Sequence, residues 1–475
     1  MFLKLIYSIL IIILTVFYFS APEDMDKGIM IEIFIVAFIS ILLFAFKKEK
    51  VPALKGQFLK HSTLVIIGLV VVHFQYDIDY IIGNASVNDK YIWVDTNVVI
   101  KTLTLSVIGL LCFFLGYLSY KKRKKRTENQ SIERVYNANF LLWVATFLLI
   151  GYFFTVNPLY LMGYYGVEQI GEEAGYIILF FKVVIFSIII QNCRNIIVSG
   201  VIPASFKDYV KTQGLHLIIL LGIYLLSVMI SGDRGPLMAY GLAFISGYFF
   251  VTKKKLSLKQ GLLFMFLGAS VITILGYART QDRSLSFNDK ISESFNVDNR
   301  FDTESFLPQT QELATSVRAL HAAVDYIPER HPYLYGRFQF QQLAVTLPFF
   351  SNFNPLLFEK QEYKYRSSSS FVTWINQGDN PYSGDGTTCI ADFYFDFGII
   401  GVIIGMYFFG FFIRFTEIKM YSLSMPTLFA HALLVVYLSD AIYISRSTVL
   451  IEIKAAVWIF IILVLNKHIF NKRLR

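Results

Sequence analysis

This chain predicts an all-α, polytopic membrane protein, and three observations carry that prediction. Hydrophobic residues make up 55% of its 475 residues and charged ones only 16%, with a mean hydropathy of +0.54. Apolar runs of roughly 18 to 25 residues recur along the whole length, each long enough to cross a bilayer as a helix. Lysine clusters close these runs on alternate sides, the pattern left by loops that stay in the cytoplasm.

About twelve spans follow, at 2–19, 29–46, 62–82, 97–119, 138–156, 175–192, 214–231, 236–251, 260–278, 389–413, 425–445 and 447–465. The first has one lysine ahead of its apolar run and no small-residue cleavage pattern behind it, so it is expected to stay as a span. Lys47, Lys48, Lys50, Lys55 and Lys60 follow the second span, and the block from Lys121 to Arg126 follows the fourth. Lys207 and Lys211, then Lys253, Lys254, Lys255 and Lys259, and a tail with Lys467, Lys472, Arg473 and Arg475 keep the alternation. Both termini are therefore expected in the cytoplasm. These clusters account for the formal net charge of +9, and no nucleic-acid partner is implied.

Three parts follow: spans one to nine over 1–278, a large external loop over 279–388, and spans ten to twelve over 389–475. The cytoplasmic loops are too short for a nucleotide-binding domain and carry no Walker or dinucleotide loop, so no cofactor is expected. Cys112 and Cys193, in or beside apolar spans, and Cys389 suggest neither a disulfide framework nor a cysteine-ligated metal. The long loop is rich in aromatic residues, among them Phe338, Phe340, Phe349, Phe350, Phe353, Phe371 and Trp374, and is expected to be ordered and mainly helical.

Nine of the 16 arginines fall on the outer side by this topology: Arg234, Arg279, Arg283, Arg300, Arg318, Arg330, Arg337, Arg366 and Arg446. A planar fork of donors suits phosphate and carboxylate, so an anionic ligand at the outer leaflet is the leading inference. Arg300 and Arg330 fit best as partners of the loop's own acids. In the turn Ser231-Gly232-Asp233-Arg234-Gly235-Pro236, Pro236 suits a first helical position. The amides behind it, with Arg234, would form an anion site at headgroup level.

Arg279, Arg283 and Arg446 are expected near that level. Lys101, Asp440, Glu452 and Lys454 sit just inside the outer helix ends, where they either snorkel or face a polar cavity. Lys182 lies deeper and is expected to face the bundle interior. Leu313, Val317, Leu320, Val324 and Ile327 recur at helical spacing up to Pro328, with Arg318, His321 and Asp325 as a neighbouring stripe. Asp24/Asp26 and Asp77/Asp79 each form Asp-x-Asp, but no third ligand is identifiable and no metal is expected.

The order of these features, with Pro332-Tyr333-Leu334-Tyr335-Gly336, then Leu347-Pro348, then Thr388 to Gly401, resembles the O-antigen polymerase (Wzy) family. Residues Ile390 to Gly401 are similar to that family's acid-aromatic-Phe-Gly-x-x-Gly lead into a late span, with Asp392 where members commonly carry Glu; Gly401 and Gly405 also suit close helix packing. The resemblance implies a membrane glycosyltransferase, compatible with a GT-C-like architecture. It would polymerise polyprenyl-diphosphate-linked oligosaccharide repeat units on the outer face of a bacterial cytoplasmic membrane, for O-antigen, capsule or exopolysaccharide. Membrane lipids, a chain-length regulator and a flippase are the partners it implies.

In that frame Arg234, Arg279, Arg283 and Arg446 would bind the diphosphate, and Arg318, Arg337 and Tyr335 the glycan or second carrier. The general base stays open among His321, Asp325 and Asp392. The rival readings are a lipid-linked oligosaccharide flippase and an O-antigen ligase. No clear internal repeat is present, and the polar residues gather at one face, which favours an enzyme.

Overall fold

The computed structural model describes residues 2–52, 54–120, 135–162, 170–231, 233, 235–278, 305–346, 362–381, 383–420 and 427–470. Among them there is no strand. The principal helices are α1 (Phe2–Phe19), α2 (Lys27–Ala45), α3 (His61–Ile82), α4 (Val99–Ser119), α5 (Asn139–Thr155), α6 (Glu172–Ser199), α7 (Phe206–Gln213), α8 (Leu215–Ser231), α9 (Gly235–Thr252) and α10 (Leu258–Ala278). The loop then contributes α11 (Arg318–Tyr326), α12 (Arg337–Ala344) and α13 (Ser368–Gln377). The last helices are α14 (Cys389–Lys419), α15 (Leu428–Ser439) and α16 (Glu452–Leu465).

Every predicted span contains a helix. Seven helices among the described residues are long and apolar enough to cross a membrane, or eight if α7 and α8, bent by 96° about Gly214, form one span. Helices α5, α15 and α16 have 17, 12 and 14 residues, shorter than the predicted segments. The shortening of α15 and α16 has a local cause. The chain from Asp440 to Ile451 turns instead of continuing as helix, with a 3₁₀ turn at Tyr443–Arg446, and Asp440 reaches Lys182 from there.

The bundle centres on α4, buried on nearly every side and packed along α14. Glycines set that approach. A Cβ on Gly116 would lie 1.8 Å from the carbonyl oxygen of Tyr407, and one on Gly410 would lie 2.0 Å from that of Phe113. In lipid, close packing of this kind stands in for the hydrophobic effect as the source of helix association. At the periphery, α1 turns Leu5, Ile9, Ile12, Ile13 and Val16 outward and buries only Tyr7, Ile11, Leu14 and Tyr18. An outward apolar face of this size suits lipid and not water.

Two groups of polar and charged side chains stand at opposite ends of the bundle. At one end Arg414 forks onto Glu49 at 2.7 and 2.9 Å, and its Nη1 lies 2.8 Å from the Tyr117 hydroxyl. Glu417 there accepts from Tyr117 at 2.5 Å and from the Ser62 amide at 2.9 Å, joining the ends of α3, α4 and α14. The opposite end, where α3 finishes and α4 and α14 begin, is covered by the described parts of the 305–388 segment. Asp79 accepts from the Ser305 hydroxyl at 2.6 Å and the Phe306 amide at 2.8 Å, and Gln75 bonds Ser305, Leu307 and Thr310.

Candidate functional site

The loop is mounted on the first turns of α14. Thr388 caps that helix by accepting from the Ala391 amide at 3.1 Å. Further along, the predicted continuous span breaks: Phe397 and Gly398 leave helical geometry, Gly398 at φ +61°, ψ −147°, a region open to glycine. The short leading part folds back along the long one, since a Cβ on Gly405 would meet the Phe393 ring at 2.6 Å and one on Gly401 the Phe393 carbonyl at 2.3 Å. In a straight helix twelve residues span about 18 Å, so that contact requires the break. Gly401 and Gly405 thus serve close packing within one broken helix.

The leading part carries two carboxylates, Asp392 and Asp396, one turn apart beneath the loop. Asp396 accepts from the Phe338 and Gln339 amides at 3.2 and 2.9 Å, capping the start of α12 across 57 residues of chain. The stretch before α12 is seated by the Leu334 and Tyr335 amides, which donate to the Phe395 and Asp396 carbonyls at 3.0 and 2.9 Å. Gly336 makes the turn into the helix at φ +88°. Asp392, fully buried, receives Gln339 at 2.8 Å, Gln342 at 2.9 and 3.0 Å, and the Ser368 hydroxyl at 2.6 Å. Phe338, Phe371 and Phe395 pack edge to face beneath this junction.

The predicted stripe on α11 is present, and both its sides are enclosed. His321 has no exposed surface; its Nδ1 lies 3.0 Å from the Ile92 carbonyl, and its ring stacks on Trp93 at 5.7 Å. Burial pushes its pKa down to about 4, so the ring is neutral near pH 7. Asp325 pairs with Arg330 at 3.2 Å; burial raises its pKa, and Arg330 opposes that rise. Arg318 is drawn to Asp385 at 3.2 Å, and Asn376 and Gln377 also bond this carboxylate. Arg337 lies over the Tyr365 ring at 4.4 Å, and Tyr335 stands 73% exposed with φ +50°.

Arg446, on the turn between α15 and α16, reaches Glu312 of the loop at 3.7 Å. Arg234, Arg279 and Arg283 lie outside the described residues. Their neighbour Asp233 accepts from the Tyr160 hydroxyl at 3.0 Å and the Gly235 amide at 3.1 Å, and Pro236 stands in the first turn of α9 as its type predicts. Lys182 does face the bundle interior, where it meets Asp440 at 3.0 Å and Glu452 at 4.0 Å.

Asp77 and Asp79, two residues apart on a helix, point to opposite sides, and Asp79 is spent on docking the loop. Among the described residues no group of three or more His, Cys, Asp or Glu is placed to hold a metal. The sequence reading missed Glu312, Asp385 and the carboxylate-holding Gln339, Gln342 and Ser368. Asp396 carried a readable signal, standing four residues after Asp392 in the run from Ile390 to Gly401.

A helical bundle with apolar sides and a folded, charge-bearing loop segment defines a multi-pass membrane protein. The chain matches the family described as O-antigen polysaccharide polymerase Wzy over residues 1–473 and belongs to it. Such proteins polymerise lipid-linked oligosaccharide repeat units. No curated relative and no solved structure matches the chain.

Proposed function

We propose that this protein joins polyprenyl-diphosphate-linked repeat units at the loop-covered end of the bundle, on the outer face of a bacterial cytoplasmic membrane. The observation that carries this reading is the contact of Arg446 with Glu312. The two side chains keep 25% and 38% of their surface, so an arginine fork is held at the seam of helix end and loop and stays within reach of a ligand. Arg446, with Arg234, Arg279 and Arg283, neutralises the departing diphosphate. Preorganised guanidinium groups in a water-poor site act there as an electrostatic catalyst. Arg337, Arg318 and the exposed Tyr335 line the glycan side.

His321 and Asp392, both enclosed, hold the loop in place in this reading, and Asp325 does so at its rim through Arg330. The test is to incubate purified protein with a defined polyprenyl diphosphate oligosaccharide. A ladder of lengthening chains with released carrier supports polymerisation. One transfer onto a different lipid would instead make it a ligase, and movement between leaflets without new bonds a flippase. Arg234→Lys should accumulate normally yet lose most polymerisation, because the charge stays and the fork does not. Full activity would remove Arg234 from the mechanism.

A further inference from the structure

A cavity of about 540 Å³, measured to its open mouth, lies between α6, α9 and α15 at the bundle end remote from the loop. Its volume falls in the range of small-ligand pockets, roughly 300–1,000 Å³. Gln57, which precedes α3, Met420, which follows α14, and His431 of α15 line the end nearest the helix termini. From there Val435 and Leu438 continue the wall along α15, with Ile189 opposite on α6. His431 to Leu438 covers about 10 Å of helix, so the space runs parallel to the helices towards the middle of the bundle. Ser246, a polar residue on its wall, is satisfied by the Ala243 carbonyl at 2.8 Å. The cavity is thus polar at one end and apolar in its depth.

Positive charge gathers at the polar end. The Arg194 guanidinium donates to His431 Nδ1 at 3.2 Å and so stands directly behind the cavity wall. The lysine run 253–255 is fastened to the same wall through Gln57, whose Nε2 donates to the Lys254 carbonyl at 3.1 Å and whose Oε1 accepts from the Leu256 amide at 2.9 Å. The Phe58 amide adds a bond to the Leu256 carbonyl at 3.1 Å. Lys253 and Lys255 are exposed and hold no ion pair among the described residues. Among those residues no acidic side chain lines the cavity. A topology signal needs only lysines close to the membrane. It does not account for their attachment to the wall of an amphipathic cavity.

We propose that this cavity binds an anionic phospholipid of the leaflet remote from the loop, with one acyl chain between α6, α9 and α15 and the phosphate at the lysine run. Basic recesses between membrane helices suit anionic lipid heads, and the apolar depth suits the chain. A polyprenyl phosphate carries the same charge. Its work lies elsewhere, because Arg446, assigned above to the diphosphate, stands at the opposite end. A lipid held between three helices stabilises the folded protein by mass action, whether or not polymer is being made.

The test uses full-length, delipidated protein in detergent at low salt, titrated with dioleoyl phosphatidylglycerol or dioleoyl phosphatidylcholine. Binding is read by native mass spectrometry and by melting temperature. Phosphatidylglycerol should occupy one site, raise the melting temperature and bind about tenfold or more tighter than phosphatidylcholine. Equal binding of the two lipids overturns the proposal. Replacing Lys253 and Lys255 together by Gln should weaken phosphatidylglycerol about 30-fold, roughly fivefold for each lysine, and leave phosphatidylcholine as it was. An unchanged affinity overturns the headgroup site.

Val435→Phe fills the cavity and should weaken both lipids, and unchanged binding overturns the chain site. Photo-crosslinking needs no variant. A phosphatidylglycerol with a diazirine in its acyl chain should label the 189–193 and 434–438 segments of the wild type, and labelling confined to other segments overturns the location. Displacement of that probe by polyprenyl monophosphate more readily than by phosphatidylglycerol overturns the choice of a phospholipid.

Discussion

Gln342 holds Asp392 by both carboxylate oxygens, its Nε2 lying 2.9 Å from Oδ1 and 3.0 Å from Oδ2. With Gln339 and Ser368 on the same acid, three donors from two loop helices converge on one turn of α14. Replacing Asp392 by Asn turns an acceptor into a donor against those donors. A buried donor left unmet costs roughly 1–3 kcal/mol. Asp392→Asn should therefore lower the melting temperature and open the 337–377 segment to limited proteolysis. A variant as stable and protease-resistant as the wild type would remove the docking role.

Gly410 leaves no room for a side chain, because its Cβ would stand 2.0 Å from the Phe113 carbonyl oxygen, a backbone atom that cannot rotate away. Gly410→Ala should cost more than the roughly 1–3 kcal/mol usual for overpacking. The expected result in detergent is loss of monodisperse protein by size-exclusion chromatography. Gly222→Ala is the control, since nothing lies within 4 Å of the place its Cβ would take.

Arg414 neutralises Glu49 and approaches Glu417 to 3.6 Å at the end remote from the loop. Removing it strands two enclosed acids, a change worth roughly 3–5 kcal/mol. Arg414→Ala should destabilise by that order, read as melting temperature in detergent. Arg414→Lys should recover only part of it, because one ammonium cannot reproduce the two-pronged contact with Glu49.

His321 contributes to stability with a definite sign. Burial lowers its pKa from 6.5 to about 4, so the unfolded chain binds a proton that the folded one refuses. Its contribution is complete above pH 6.5 and is lost as pH falls towards 4, an effect of about 3 kcal/mol. His321→Phe should flatten the fall in melting temperature between those pH values. An unchanged slope would assign the acid sensitivity to other groups.

That each predicted span holds a helix was legible in apolar run length alone, because in lipid a backbone must satisfy its own hydrogen bonds; the turn at 440–451 and the break at Gly398 were not. So was the end of α11 at Tyr326, ahead of Pro328, and the inward setting of Lys182, since a lone cation in a span needs an acid. The enclosure of His321 was not legible. Its helix was read as one-sided, yet Trp93 and Ile92, more than 220 residues earlier, cover the polar stripe.

What the chain determined by itself is therefore everything that depends on local composition: which segments are helices, which residues break them, and which charges are too costly to face lipid. The tertiary structure alone decided what those charges do. Asp392 and Asp396 became the seat of the loop because α12 and α13 bring their donors onto these two acids. Asp440 and Glu452, up to 270 positions from Lys182, became its partners because helix packing placed each within 4.0 Å of it. Run length and residue type act over a few turns, whereas partner choice among buried charges is set by contacts that only packing creates.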